Sequence, residues 1–338
     1  MAPDAVLVRV KAAGVNPVDW KIVAGGLDPI MNVHFPLVPG WDAAGVVEAV
    51  GLDATEFAVG DEVYGYVRKD EVQHGTYAEL VSAPVRTLAR KPRSLSWQQA
   101  AGVPLAGLTA WQSLERIGVT GSDTVLVHAA AGGVGSFAVQ IAVARGARVI
   151  GTASERNHDF LRELGAEPVA YGDGLAERVR AIAPDGITAA VDYVGQGAVE
   201  VSQELLADTS RVASITDPSV TARGGHHVWV RPSGADLAEL GRLADEGRLT
   251  VHIDRSLPLA EAAEAFRLSA TGRTRARSSS TSAEHRRPPA ARHRRPPPSA
   301  VPCGGGARGT GTPCAPWSSG GGTSRRAEDV GRVARDDA

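Results

Sequence analysis

Short apolar runs at residues 124–128, 148–152, 168–171, 189–193 and 211–215 predict strands, and the stretches between them have helical periodicity at 136–145, 158–164, 175–182 and 199–206. This alternation over residues 116–245 predicts a parallel, doubly wound sheet with helices on both faces. Leu237, Leu240 and Leu243 recur at helical spacing in 236–245, and the alanine-rich stretch 259–269 reads as a helix with Phe266 facing inward. The first hundred residues have another rhythm. Strands are expected at 6–11, 44–50, 62–67 and 76–81, and Ser96-Trp97-Gln98-Gln99 has the spacing of a helix capping box.

The strand at 124–128 runs into Ala131-Gly132-Gly133-Val134-Gly135, and a helix follows at once. Gly132 and Gly135 let the backbone turn sharply and approach a pyrophosphate. The helix's first N–H groups lack intrahelical partners, and its dipole favours an anion. A second strand one helix length later completes the βαβ context that a dinucleotide site needs. At the end of that strand an acid would bond the ribose 2′-hydroxyl of NAD, but Ala153 stands there. Ser154 and Arg156 suit a 2′-phosphate, so the expected cofactor is NADPH. Glu155 competes with that reading, and Arg156 also reads as a solvated surface charge.

The turn resembles that of the medium-chain dehydrogenase/reductase superfamily, above all its zinc-free, zeta-crystallin-like quinone oxidoreductases. The other matching segments are Ala12-Ala13-Gly14-Val15-Asn16-Pro17-Val18-Asp19, Pro39-Gly40-Trp41-Asp42-Ala43-Ala44-Gly45, Gly60-Asp61-Glu62-Val63, Gly75-Thr76-Tyr77-Ala78-Glu79, Pro104-Leu105-Ala106-Gly107-Leu108-Thr109-Ala110 and Asp192-Tyr193-Val194-Gly195. The resemblance implies an α/β chain in two domains: a GroES-like β-rich catalytic domain over 1–115, then a Rossmann domain over 116–245. A return segment follows at 246–275. The resemblance implies that Asn16 lies by the nicotinamide, that Thr109, read as the start of a helix, lies near the nicotinamide phosphate, and that the protein is a homodimer; the candidate exposed strand 227–230 offers a contact, which the resemblance does not supply. Tyr171, which ends a third strand, is expected near the adenosine ribose phosphate; Val194 and Gly195 end a fourth strand, where ligands gather at a sheet's carboxyl edge.

No catalytic zinc is expected. A catalytic site needs three protein ligands, yet the only cysteines are Cys303 and Cys314. Gly40-Trp41-Asp42 stands where zinc relatives carry Gly-His-Glu, Asn16 replaces their first cysteine, and His34, His74 and His128 are scattered singly. Without a Lewis acid, quinones and conjugated enones are the easier hydride acceptors, because the resulting oxyanion is delocalised. The protein must then supply orientation, a dry cleft and hydrogen-bond donors. The candidate catalytic residues are Asn16, Asp42 and Tyr77, with Asp19 and Lys21 near enough to tune them. Each has a plainer reading: Asn16 as a turn residue before Pro17, Asp42 as a loop cap, Tyr77 as a packed strand residue, and Thr109 as a helix cap. Two other functions remain open on the sequence: an enoyl reductase beside a polyketide pathway, and a nucleotide-binding redox sensor without turnover.

The 338 residues suit about two domains, and 43% hydrophobic content suits a globular core. No apolar run approaches a membrane span. The opening Met1-Ala2-Pro3-Asp4 has no signal-peptide pattern, and the absence of cysteine from 1–270 fits a cytoplasmic setting. After Thr271 the composition changes. Residues 271–338 hold 13 Arg against 5 acids and no Leu, Ile, Phe, Tyr, Met or Lys, so 1–270 carry a net −10. Disorder is expected over 276–338. Arg292-His293-Arg294-Arg295 suits non-specific contact with nucleic acid, but Trp317 is the lone aromatic there, so no specific nucleic-acid partner is expected. The family closes its catalytic domain with Gly-Lys-hydrophobic-Val-Val. One set of codons for Ala276–Ser282, read in the neighbouring frame, translates as Gly-Lys-Ile-Val-Val-Asp-Val. The tail is therefore expected to be a frame-shifted read, with a genuine appendage as the alternative. An opening hairpin is also expected to be missing, which with the lost closing strand would leave unpaired edges on the catalytic sheet.

Overall fold

The computed structural model describes residues 1–271 and the backbone of 277–281. Seven strands precede the first long helix: β1 Ala5–Val15, β2 Asn32–Val38, β3 Asp42–Val50, β4 Glu62–Tyr66, β5 Glu71–His74, β6 Leu80–Pro84 and β7 Leu88–Arg90. Helix α1 spans Pro17–Val23, α2 Trp97–Gly102 and α3 Pro104–Arg116. Ser96 Oγ accepts the Gln99 N–H and Gln99 returns its side chain to the Ser96 N–H, so the capping box forms as the spacing predicts.

Strand and helix then alternate: β8 Thr124–Val127, α4 Gly135–Ala144, β9 Arg148–Ala153, α5 His158–Glu163, β10 Glu167–Ala170, α6 Leu175–Ile182, β11 Ala189–Asp192, α7 Ala198–Leu205, β12 Val212–Ser214 and β13 His226–His227. These six strands form one parallel sheet in the order β10-β9-β8-β11-β12-β13. The order reverses between β8 and β11, the switch point where such sheets open a crevice at their carboxyl ends. Helix α8, Gly234–Asp245, buries Leu237, Leu240 and Leu243. The chain then returns through β14 Ile253–Pro258, α9 Ala262–Ala270 and β15 Arg277–Thr281.

The returning strands join the first sheet, whose order is β14-β15-β1-β3-β4-β7 with β6 also on β1. β3 follows one edge of β1; the other is met by β6 at residues 5–9 and by β15 at 12–15. Between them β6 and the returning chain pair most of this side of β1, and among the described residues the sheet ends at β14 and β7. The expected disordered tail loses 277–281 to β15; backbone pairing to β1 and β14 sets its conformation although its sequence, Arg-Ser-Ser-Ser-Thr, has no apolar residue. The rest of that expectation, frame shift included, falls outside the described residues.

A shared core joins the two sheets. Tyr64 of β4 is fully buried and donates from its hydroxyl to the Leu237 carbonyl of α8 at 2.5 Å, while burial raises the phenol's pKa. Tyr64, Leu108, Leu114, Ile141 and Leu240 belong to one cluster; each fully buried side chain of this kind contributes about 2 kcal/mol.

Two further expectations need correction. Residues 76–79 are bends rather than strand, because Gly75, Thr76 and Tyr77 donate their N–H groups to the Val38–Gly40 turn instead of to a neighbouring strand. The expected contact strand at 227–230 shrinks to β13, after which Trp229 is 51% exposed.

Candidate functional site

The glycine turn begins where β8 ends. His128 donates its backbone N–H to the Val191 carbonyl, and the Ala129 N–H meets Thr152 Oγ1 at 3.0 Å. Ala129 has φ +52°, a left-handed conformation that an alanine adopts only when its surroundings enforce it. Gly135 is sterically required, and Gly132 is tightly placed. A Cβ on Gly135 would lie 2.2 Å from the Ala129 carbonyl oxygen and 2.7 Å from Ala130 Cα. At Gly132 the same atom would come within 3.1 Å of that oxygen. Helix α4 starts at Gly135 with no side-chain cap; the Ser136 N–H donates to the Gly132 carbonyl, and the Phe137 and Ala138 N–H groups donate to the Val134 carbonyl.

A cavity of about 760 Å³ opens beside this turn, above the carboxyl ends of β8–β11. Ala131, Gly132, Ser154, Arg156 and Tyr171 line it, and Val194 and Gly195 close the far wall. Gly133, Val134 and Gly135 belong to the turn but do not line the cavity. Thr109 also stands apart. It sits mid-way along α3, buried, with its hydroxyl donating back to the Leu105 carbonyl at 2.6 Å, so it does not begin a helix. Tyr171 lies one residue beyond β10 and is 64% exposed.

Other groups in the cavity were not singled out by sequence. Gly172-Asp173-Gly174 and Gly195-Gln196-Gly197 are two turns of the same form, each with both glycines at positive φ and each leading into a helix. The repeated Gly-X-Gly before a helical period was the available signal. Asp173, Glu177 and Glu204 also line the cavity, so Arg156 is outnumbered there by carboxylates. At the floor, His128 Nε2 lies 2.9 Å from Ser202 Oγ. Ser202 gives its own proton to the Ala198 carbonyl, so His128 is the donor of that pair and stays neutral. Burial holds its pKa at about 4, against a smaller opposing pull from Asp192. Asp192 is the strut of the far wall: Oδ1 accepts the Val194 and Gly195 N–H groups at 2.8 Å, and Oδ2 accepts the Ser214 and Thr216 hydroxyls.

The three candidate catalytic residues lie together in the other lobe. Asn16, Asp19 and Asp42 are all fully buried. Asn16 donates from Nδ2 to Asp42 Oδ2 at 3.0 Å, while its Oδ1 is buried without a hydrogen-bond partner. Asp42 also accepts the Leu105 N–H, in the first turn of α3. Asp19 Oδ2 accepts the Asn16 backbone N–H at 2.7 Å and the Tyr77 hydroxyl at 2.7 Å; the Gly14 carbonyl lies 3.2 Å from that hydroxyl. Tyr77 packs on Phe266 of α9, ring centroids 5.5 Å apart. Gly14 is required here, since a Cβ would lie 2.3 Å from the Ala101 carbonyl oxygen.

Among the described residues no three of His, Cys, Asp and Glu gather in a way that would hold a metal ion. The donor set at Asn16 and Asp42, one amide and one carboxylate already engaged, does not fit zinc.

Two family models match: the alcohol dehydrogenase GroES-like domain over residues 2–93, and the zinc-binding dehydrogenase over 164–277. The 2-methylene-furan-3-one reductase of Solanum lycopersicum is 34% identical over 280 residues, covering 80% of this chain and 70% of its own. The chloroplastic NADPH-dependent alkenal/one oxidoreductase of Arabidopsis thaliana is 33% identical, covering 78% of this chain and 68% of its own. The solved quinone oxidoreductase of Coxiella burnetii superposes with a TM-score of 0.70 at 33% identity, covering 82% of this chain and 90% of its own.

Proposed function

This chain belongs to the medium-chain dehydrogenase/reductase superfamily, among relatives named as quinone oxidoreductases and alkenal/one reductases, and from that membership we propose that it transfers hydride from NADPH to a quinone or an α,β-unsaturated carbonyl without zinc. The observation that carries the reading is the cavity beside the glycine turn at the switch point of the parallel sheet. The turn fits a diphosphate because its glycines let the chain turn tightly against Ala129 and the start of α4 carries no side-chain cap.

A bound nicotinamide coenzyme supplies the hydride. The turn Gly132–Gly135 would hold its diphosphate, with Ala131 and Val134 shaping the turn. Ser154, Arg156 and Tyr171 hold the adenosine end, and Val194 and Gly195 the opposite wall, kept in place by Asp192. With three carboxylates in the same cavity, preference for the phosphorylated coenzyme rests on Arg156 and on the missing acid at Ala153. On the substrate side Asn16 and Tyr77 orient the acceptor, and Asp42 positions Asn16 against α3. The cofactor lobe is placed at 116–245, with 246–275 returning to the catalytic lobe. The open edge at β13 is proposed to pair with a second copy, and a reducing cytoplasm suits a chain without cysteine before Cys303.

The test is oxidation of NADPH, with NADH in parallel, against a panel of quinones, enones and enoyl thioesters. Turnover of quinones or enones with NADPH preferred is expected. Tight NADPH binding without turnover of any acceptor would replace this reading by a redox sensor.

A further inference from the structure

We infer that Asp19 is a positioning residue that fixes both substrate-side groups of the site, Asn16 and Tyr77, in one arrangement. This rests on the functional reading above. The chain brings the three together from separate places. Asn16 and Asp19 are three residues apart at the start of α1, a spacing that lets a carboxylate reach back to the N-terminal N–H of its own helix. Tyr77 arrives from the turn after β5, and its hydroxyl meets the same carboxylate oxygen. Oδ2 of Asp19 therefore accepts two donors at 2.7 Å from different parts of the lobe, in a site with no solvent exposure at Asp19. Hydrogen bonds to an ionised acceptor are the stronger kind, and a desolvated site strengthens them further.

The chemical consequence concerns the direction of the Tyr77 proton. A phenol has one proton to give. With the carboxylate taking it, Tyr77 Oη presents lone pairs to its other neighbours rather than a donor. Tyr77 in this arrangement does not donate to the carbonyl of a quinone or enone, so it orients the acceptor by packing and does not stabilise a developing oxyanion directly. The same carboxylate holds the backbone of Asn16 while Asp42 holds its amide, so Asn16 is fixed at both ends. Removing Asp19 would free the Tyr77 hydroxyl and loosen Asn16 together.

A double-mutant cycle with Asp19→Ala and Tyr77→Phe tests this, scored by kcat and KM on the best acceptor and by the Kd for NADPH. Asp19→Ala is expected to lower kcat about tenfold with the NADPH Kd unchanged within about twofold, because a misplaced group costs rate more than cofactor affinity. The double variant is expected to be no slower than Asp19→Ala. Losses that multiply, or a folded Asp19→Ala with normal kcat, would overturn the inference. A readout independent of turnover is the ¹³C resonance of tyrosine Cζ in labelled protein, which has only five tyrosines, with Tyr77 assigned through Tyr77→Phe. In Asp19→Asn, which keeps the volume and one acceptor oxygen, that resonance is expected to shift while the other four stay. An unmoved resonance would sink the proposal even if Asp19→Ala fails to fold. If the wild type reduces no acceptor, the functional reading falls and the resonance alone decides the role of Asp19.

Discussion

Asp42 ties the start of α1 to the first turn of α3 with a single carboxylate. Its Oδ2 reaches both Asn16 Nδ2 and the Leu105 N–H. Asp42→Ala leaves two buried donors unmet and is expected to cost about 2–4 kcal/mol in urea unfolding. Asp42→Asn is expected to cost only about 1 kcal/mol, since one amide oxygen placed at Oδ2 still serves both donors. Arg156 is exposed and works through charge. Arg156→Ala is expected to reduce the ratio of NADPH to NADH affinity about tenfold, measured by fluorescence titration of both coenzymes.

His128 gives a pH dependence. Its pKa falls from 6.5 to about 4 on folding because burial disfavours the imidazolium. The unfolded chain therefore binds more protons between those values. The associated stability is complete above pH 6.5 and is lost as pH falls through 4. Full protonation corresponds to roughly 3–4 kcal/mol. His128→Gln keeps a donor for Ser202 without a titrating ring. Between pH 7 and 4.5 the wild type is expected to lose more stability than this variant, and parallel curves from chemical denaturation would contradict the assignment.

At the scale of elements, the turn between β8 and α4 concentrates the steric demand. Gly135→Ala would push a methyl group into the Ala129 carbonyl, and the turn must open to admit it. NADPH affinity is expected to fall at least about tenfold, with about 1–3 kcal/mol of stability lost to overpacking. Calorimetric titration and thermal unfolding of one preparation separate the two effects. The parallel sheet was legible in the sequence because five of its six strands are short apolar runs among helical periods; β13, His226–His227, carries no such signal. β8, α4 and α6 lie within a residue or two of their expected bounds. The turn at 76–79 was not legible, because its N–H groups pair with a distant turn at Val38–Gly40 and local alternation carries no trace of that. Thr109 misled for a related reason: a β-branched hydroxyl can cap a helix or bond back to the carbonyl four residues earlier, and here it does the latter. The residues of the cofactor cavity could be picked out because strand ends in an open α/β sheet are predictable places. The pairing of Asp19 with Tyr77 could not, since 58 residues separate them.

At the scale of the molecule, the zinc-binding dehydrogenase match ends at residue 277, close to where the composition changes. Residues 271–338 hold 13 of the chain's Arg and only 5 acids, while 1–270 are net −10. The intact mass of protein made from the resequenced gene is expected to differ from that of the 338-residue sequence if the Arg- and Ser-rich stretch is a frame-shifted read. Agreement with an error-free gene would establish it as a genuine extension.

β15 lies between β1 and β14, so the earliest strand of the chain is completed by one made almost last. During synthesis, β1 can recruit β3 and β6 soon after they emerge, yet the groups at residues 12–15 on its other side stay bare until everything in between has been translated. Such a long-range closure is entropically slow. The nascent chain thus carries a sticky, half-built margin right beside Asn16 for most of its time on the ribosome, and cellular yield should respond to chaperone supply more than the finished fold's resistance to heat would suggest.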